Sequence, residues 1–571
     1  MKNLLLPLVY VFSLIFVNAQ TPKLEWAKSM GGIGGDYAYA VSVDGAGDVY
    51  TIGTFQQTAD FDPGTGVFNL YSTNLMYNSD IYISKLDAKG NFLWAKSIGT
   101  ELDEIGIAIA VDASGNIYAT GSFNGTVDFD PGVGIHNLTS KGGYDIFILK
   151  LDSYGNYAWA KDIGGTANDQ GNSIALDSMN NIYVSGFFHE TIDFIPSNGV
   201  KSITTNGGSD IFVLKLNTSG KLVWAKNMGG TYDDSAYYIT VDAIANVYTT
   251  GVFRGKADFD PSKGEFNLST KGNPQYEDVF ISKLDSTGNF KWAKSISGNF
   301  VDQGNCIAVD ATGNVYVTGG FQYTADFDPG PDTSNLISFG DYDIFILKLD
   351  SYGNYIWAKN MGGNQGEIGN SLVLDAIGNI YVTGSFNGSP DFDPGPSAFN
   401  LTSSGFLDIF ISKLDTAGIF KWAVNMGGID DDFGYALSID KSDNLYITGA
   451  FSQTTDFDPG QGTFNLKAVG SDDVYISKLS QSSVATKENL VDNKLNLYPN
   501  PTTGFLNVLI TNPSKGQRIE IYNSLGVLMY TQTDLNEFNI IDLKNQPDGM
   551  YMLRLVDETN IGISKIIVKT E

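Results

Sequence analysis

The sequence predicts an all-β fold, a seven-bladed β-propeller over residues 20–480 followed by a small C-terminal Ig-like β-sandwich over 493–571, and three observations predict it. All seven tryptophans, Trp26, Trp94, Trp159, Trp224, Trp292, Trp357 and Trp422, stand in one register, separated by 68, 65, 65, 68, 65 and 65 residues. Each interval holds short β-branched and aromatic runs divided by Asp and Gly-Asn turn signals, with no amphipathic helical stretch. After Ser480 the repeat stops and a different strand-and-turn pattern begins.

One unit, from Gly106, supplies four strands: "IAIAV", "NIYATGSF", "DIFILKL" and "YAWAKDI". A blade of this kind buries both faces against its neighbours, and radial repetition protects its edges. A β-solenoid is the weaker alternative, because its coils are usually shorter. The phase of the repeat also favours a ring. An orphan Trp strand, "KLEWAKSMGG" at 23–32, precedes the first unit, and the last unit ends at "DVYISKL", 473–479, without one. The strand around Trp26 is therefore expected to pair with the strand around Tyr475.

Units such as "VDATGNVYVTG" (309–319) and "DIFILKLDSYGNYIWAKNMGG" (343–363) resemble the bacterial β-propeller repeat family often labelled SBBP. The resemblance spans Leu24 to Ser480; it implies a propeller and brings no activity with it.

Residues 1–19 carry Lys2, an apolar run from Leu4 to Val17, and Val17-Asn18-Ala19 before Gln20, the pattern of a secretory signal peptide. The mature chain is therefore expected outside the cytoplasm. No later apolar run reaches the roughly 20 residues that cross a bilayer, so no transmembrane segment is expected. Cys306 is the single cysteine, which excludes an internal disulfide framework and reads as a buried structural thiol. There are 64 acids against 35 bases, a net charge of −29, and Arg254 is the lone arginine before residue 491. That balance argues against a nucleic-acid partner and for cations or neutral ligands.

The motif DFDP begins at Asp60, Asp128, Asp258, Asp326, Asp391 and Asp456, with a worn copy, DFIP, at Asp193. Two readings stand. In an extended chain the first and second acids, Asp60 with Asp62, Asp128 with Asp130, Asp258 with Asp260, Asp326 with Asp328, Asp391 with Asp393 and Asp456 with Asp458, point to one side and could share calcium. Alternatively the loop is a turn, in which Pro63 presets φ, Gly64 takes the left-handed position and the second Asp accepts an amide. Lead-in loops before each first strand add Asp36, Asp103, Asp169, Asp233, Asp302, Glu367 and Asp431, expected to rim the mouth of the central channel.

One position varies where its neighbours recur. Its occupants are Gln56, Asn124, His189, Arg254, Gln322, Asn387 and Ser452, all polar, which suits either a ligand-binding surface or a solvated loop. Catalysis finds little support. His136 stands where other copies have Phe68 or Phe266, His189 is in the variable position, and neither fits a triad or metal-ligand spacing. Lys85, Lys150, Lys283 and Lys348 recur as edge or ion-pair positions.

A polar linker, 481–492, leads to the last segment. Tyr498-Pro499-Asn500-Pro501 with Gly504, then Gly526, then Gly549 and Tyr551, and the terminal "KIIVK" resemble the type A C-terminal sorting domain of the type IX (Por) secretion system of Bacteroidota. The resemblance implies recognition by that machinery and a secreted or outer-membrane surface location. Three functions remain for the propeller: a non-enzymatic binding module for an extracellular glycan or protein, a carboxylate-dependent hydrolase or lyase of polysaccharide, and a surface-layer component.

Overall fold

A computed structural model gives the fold and describes residues 21–73, 78–194, 202–481, 495–499, 502–510, 513, 516–523, 528–547, 549–556, 561–562 and 566–569. The expected signal peptide (1–19), residues 482–492 of the expected linker, Ile195 and Pro196 of the worn copy, and Asn500, Pro501 and Gly526 lie outside the described residues. The chain divides into two units, Met1–Gln481 and Ser482–Glu571.

In the first unit, Tyr37–Val43, Val49–Gln56, Ser79–Leu86 and Phe92–Ile98 form an antiparallel sheet in chain order. The pattern repeats from inner strands Ile105–Val111, Gln170–Leu176, Ser235–Val241, Asp302–Val309, Glu367–Leu374 and Asp432–Ile439, and these sheets are numbered two to seven. The outer strand of sheet seven is Lys23–Gly32, which pairs with Asn465–Ser480 and sets Ser29 opposite Tyr475. The inner strands neighbour one another in a closed cycle that ends with Asp432–Ile439 beside Tyr37–Val43. This is the propeller architecture.

Middle strands such as Ile117–Phe123 are buried along their whole length, because both faces of each sheet are covered. Cores form between sheets: Ile52, Ile81 and Ile83 of sheet one pack with Ile117, Phe123 and Phe147 of sheet two. In the predicted turns, Asp112 Oδ1 accepts the amides of Ser114 and Asn116 at 2.9 Å, and Gly115 takes φ 78°. Cys306 is buried with Sγ 3.6 Å from Leu372 O, and burial pushes its thiol up to about 12, the opposite of a nucleophile's shift.

The recurring lysines are primarily cation–π residues. Lys85 lies across from Tyr50 on one side and Trp94 on the other, with Nζ 4.8 Å from the Tyr50 ring centre. The arrangement recurs at Lys150, Lys283 and Lys348. Two members of the series also form ion pairs, Lys85 to Asp48 at 2.9 Å and Lys215 to Asp177 at 3.6 Å.

In the second unit, one sheet holds Leu495–Tyr498, Phe505–Ile510 and Phe538–Asp542. The other holds Leu528–Gln532, Arg518–Asn523 and Gly549–Val556, with Ile566–Lys569 and Ile561–Gly562 paired to the last of these. Leu506, Val508 and Ile541 of the first sheet share a core with Ile519, Ile521 and Leu553 of the second, which makes a sandwich. Tyr551 is buried and donates from its hydroxyl to Pro547 O at 2.6 Å; Tyr498 and Pro499 are exposed. Gly504 takes φ 151°, and its carbonyl accepts the Leu543 amide at 2.6 Å. Gly549 adopts φ 154° in open space.

Candidate binding face

The DFDPG loops emerge between second and third strands, and the structure gives them a building role. Asp60 Oδ1 accepts the amides of Asp62 at 3.0 Å and Phe68 at 2.8 Å, and Asp62 Oδ1 accepts the Gly64 amide at 2.8 Å. The bonds recur at Asp128 and Asp130, Asp258 and Asp260, Asp326 and Asp328, Asp391 and Asp393, and Asp456 and Asp458. Phe61, between the two acids, is fully buried and meets Phe55 edge-on at 5.6 Å. Gly64 is outside the left-handed region expected for it; the Asp62 carboxylate holds the turn through the glycine amide instead.

The loops also lace the ring together. Asp60 and Ala59 pair with Gly31 and Gly32 at the end of the preceding sheet's outer strand. The same bridge joins Asp258 to Gly229, Asp326 to Ser297, Asp456 to Gly427, Asp193 to Gly164 and Asp391 to Gly362. Among the described residues, no group of three or more His, Cys, Asp or Glu converges as a metal site.

A paired substitution separates the turn role from a calcium role. Asp391→Asn keeps the oxygen that accepts two amides and is expected to leave stability nearly unchanged. Asp391→Ala strands both amides and is expected to cost about 1–2 kcal/mol, checked by denaturant unfolding. Equal loss in the two variants, seen only when calcium is present, would contradict the turn role.

The lead-in acids are corrected in register and position. The fully buried residues are Asp36, Glu104, Asp169, Asp234, Asp302, Glu367 and Asp432, so Asp103, Asp233 and Asp431 give way to their successors. None of these buried acids rims the channel. Asp36 Oδ2 accepts the Gly32 amide at 2.7 Å and Oδ1 the Gln56 amide at 3.1 Å. The displaced acids cap the neighbouring sheet: Asp233 Oδ1 accepts the Ser209 amide at 3.0 Å, and Asp431 Oδ1 that of Leu407 at 3.2 Å.

Those buried acids also fix the variable position. The amides of His189, Arg254, Gln322 and Ser452 donate to Asp169, Asp234, Asp302 and Asp432 at 2.9, 3.0, 3.4 and 3.3 Å, as Gln56 does to Asp36. At these five positions the backbone is thus held alike while the half-buried side chains differ. Gln56 Nε2 donates to Ser79 Oγ at 3.3 Å, Asn124 and Asn387 accept from Ser140 and Ser403 at 3.4 and 3.5 Å, and Ser452 bonds Asp472. His189 Nδ1 lies 2.6 Å from Asn168 O. His136 packs in a tilted contact on Tyr157 at 4.7 Å just as Phe68 does on Phe92 at 4.9 Å, a packing substitution.

One boundary carries a charged and aromatic network of its own. Between sheets four and five, Arg254 Nη2 meets Glu277 Oε1 at 2.7 Å, Nη1 meets Asp233 Oδ2 at 3.5 Å, and Gln303 Nε2 donates to Glu277 Oε2 at 2.9 Å. Close in sequence to this network, Tyr276 stacks on Phe300 at 5.8 Å and Phe300 meets Tyr323 at 4.2 Å. Phe300 is 36% and Tyr323 54% exposed. At the other described boundaries these three positions never hold three aromatics together. Single-sequence reading missed this cluster because its members come from three separate segments.

Residues 496–569 match the family model of the Secretion system C-terminal sorting domain. The chain is therefore exported by the type IX system to the cell surface or beyond it. It is 25% identical over 513 residues to an uncharacterized WD repeat-containing protein of Acanthamoeba polyphaga mimivirus, a match covering 75% of this chain and 36% of that protein. It is 28% identical over 139 residues to the Regulatory protein FlaEY of Caulobacter vibrioides, covering 24% of this chain and 14% of that one. The matches thus span about a third of the first relative and less of the second. Among solved structures it is similar to Sqt1 from Chaetomium thermophilum, with 11% identity, TM-score 0.36, and coverage of 81% of this chain and 100% of that one. It is also similar to PorZ, a surface component of the type IX secretion system of Porphyromonas gingivalis, with 11% identity, TM-score 0.17, and coverage of 95% and 100%. Among the described residues no helix is long and apolar enough to cross a membrane.

Proposed function

We propose that the exported propeller is a non-enzymatic binding module whose ligand is a neutral glycan, held at the boundary of sheets four and five. The Tyr276, Phe300 and Tyr323 rings, together with the Arg254, Glu277 and Gln303 network close to them in sequence, carry this reading. Partly exposed aromatic faces offer apolar area to the C–H face of a sugar, and the adjacent amide and ionic groups offer hydrogen bonds that fix its orientation. Two carboxylates already neutralise Arg254, which favours an uncharged ligand over an acidic one. Lead-in acids such as Asp36 accept backbone amides, from Gly32 and Gln56, which gives them a scaffold role.

The test is binding of the mature chain to immobilised neutral and acidic oligosaccharides, with the soluble fraction assayed for cleavage products. Neutral glycans are expected to bind without turnover, and Phe300→Ala with Tyr323→Ala is expected to weaken binding at least about tenfold while leaving the melting midpoint in place. Cleavage products, or undiminished binding by the double variant, would overturn the reading.

A further inference from the structure

Seven buried carboxyl pairs lie between neighbouring sheets. The start of the first strand of each sheet, or the residue just before it, brings Asp36, Glu104, Asp169, Asp234, Asp302, Glu367 or Asp432, and the third strand of the preceding sheet brings Asp473, Asp80, Asp145, Asp210, Asp278, Asp343 or Asp408, respectively. All fourteen are at most 2% exposed. A backbone bond sets most partners side by side: the amide of Asp36 donates to Asp472 O at 2.8 Å, that of Glu104 to Ser79 O at 2.9 Å, and that of Asp432 to Leu407 O at 2.7 Å. A methyl group built on Gly31 would stand 2.5 Å from Asp473 Oδ1 and 2.9 Å from Asp36 Oδ2, so both oxygens border one small space.

Every pair contains a buried carboxyl oxygen without a hydrogen-bond partner among the described residues. These are Oδ1 of Asp80, Asp145, Asp210, Asp278, Asp408 and Asp473, with Asp302 Oδ2 and, in the pair of Asp343, Glu367 Oε1. Leaving such an atom unpaired in a dry site costs free energy, and two adjacent anions cost more. Among the described residues, no third acid, cysteine or histidine completes a metal-ligand group at any of them. The simplest donor for the orphan oxygen is a proton on the pair itself.

We propose that each of the seven inter-blade carboxyl pairs holds one proton in the folded ring at neutral pH, so that assembly of the propeller takes up protons and alkaline pH loosens it. Burial, the largest cause, raises Asp36 to about 7, Asp473 to about 6, Glu104 and Asp234 to about 8, Asp169 and Asp432 to about 7 and Glu367 to about 8, and it raises Asp302 strongly. The third-strand partners rise to about 6 or 7 for the same reason. Other anions nearby, Asp472, Asp103, Asp162 and Asp233, push in the same direction, as do the neighbouring tyrosines Tyr37, Tyr82, Tyr144, Tyr342 and Tyr475 should they ionise. Lys141, His189 and Lys271 oppose it, at two pairs only.

Folded values above the ordinary carboxyl range mean that the folded ring binds more protons than the unfolded chain. Stability from these groups is complete below about pH 4 and is lost as pH rises through the folded values. The turn residues Asp112, Asp152 and Asp310 work the other way. Amide and side-chain bonds outweigh burial and hold them below the usual range, so their contribution disappears as pH falls through their folded values.

The test uses the mature full chain after treatment with chelator. Infrared spectra at neutral pH are expected to show protonated carboxyl groups that vanish as pH is raised. Over the same range, from about pH 6 to about pH 9, the unfolding midpoint reported by the ring's tryptophans is expected to fall by at least about 5 °C. Asp408→Asn supplies an amide donor in place of the proton and is expected to fold, with its share of the infrared signal gone. Absence of protonated carboxyl signal from the folded wild type overturns the proposal, as does a midpoint that is flat or rises across this range. Stoichiometric bound metal whose removal alone shifts the midpoint also overturns it, because cations would then neutralise the pairs.

Discussion

Removing residues 21–32 abolishes cooperative unfolding of the propeller. The strand Lys23–Gly32 joins both ends of the ring: seven of its residues pair with Asn465–Ser480, and Gly31 and Gly32 pair with Asp60 and Ala59 of sheet one. Trp26 lies 6.3 Å from Tyr446 and donates from Nε1 to Ala88 O at 3.3 Å, while Ala27 and Met30 are buried. Without this strand the Asn465–Ser480 edge is unpaired and two inter-sheet cores lose a wall, which makes the chain prone to edge association. The loss is expected to exceed the roughly 5–15 kcal/mol that stabilises a typical domain. Tryptophan fluorescence in denaturant measures it, since the six tryptophans that remain without Trp26 all belong to the ring. An unchanged midpoint and slope would mean that the ring does not depend on closure.

A chain ending before residue 495 is retained inside the outer membrane. The sorting match occupies 496–569, and that stretch is a sandwich with its own core of Leu506, Ile521, Ile541 and Leu553. Because the ring's strand pairings end at Ser480, deletion leaves its folding intact and changes only its destination. Cell fractionation with antibody against the propeller is expected to move essentially all of the protein from the surface or medium to the periplasm. Undiminished surface delivery of the shortened chain would contradict the sorting role.

Much of the architecture is legible in the sequence because it recurs. The tryptophan register sets the repeat length, and the orphan strand at 23–32 identifies the partner of the strand at Tyr475. The DFDPG turns were legible as turns, but their bridge to the preceding sheet was not, since it joins residues such as Gly362 and Asp391 across two elements. The lead-in acids show a different limit. Doublets such as Asp103-Glu104 and Asp233-Asp234 offer two candidates for one buried slot, and in extended chain a one-residue slip exchanges the buried side for the exposed one. Cation–π pairing of Lys85 with Tyr50 depends on cross-strand register, which composition does not carry. The variable position was visible as variation, whereas the aromatic cluster at 276, 300 and 323 required the fold to bring three segments together.

The most direct test of the account is hydrogen–deuterium exchange of the mature chain with and without a mixture of neutral oligosaccharides. The account predicts added protection confined to the sheet four and five boundary, in segments around Arg254, Tyr276, Phe300 and Tyr323, with the other DFDPG loops unchanged. Protection spread equally over all the DFDPG loops, or located at the Asp-Gly-Asn turns, would contradict a ring whose repeated features build the scaffold and whose sheet four and five boundary binds.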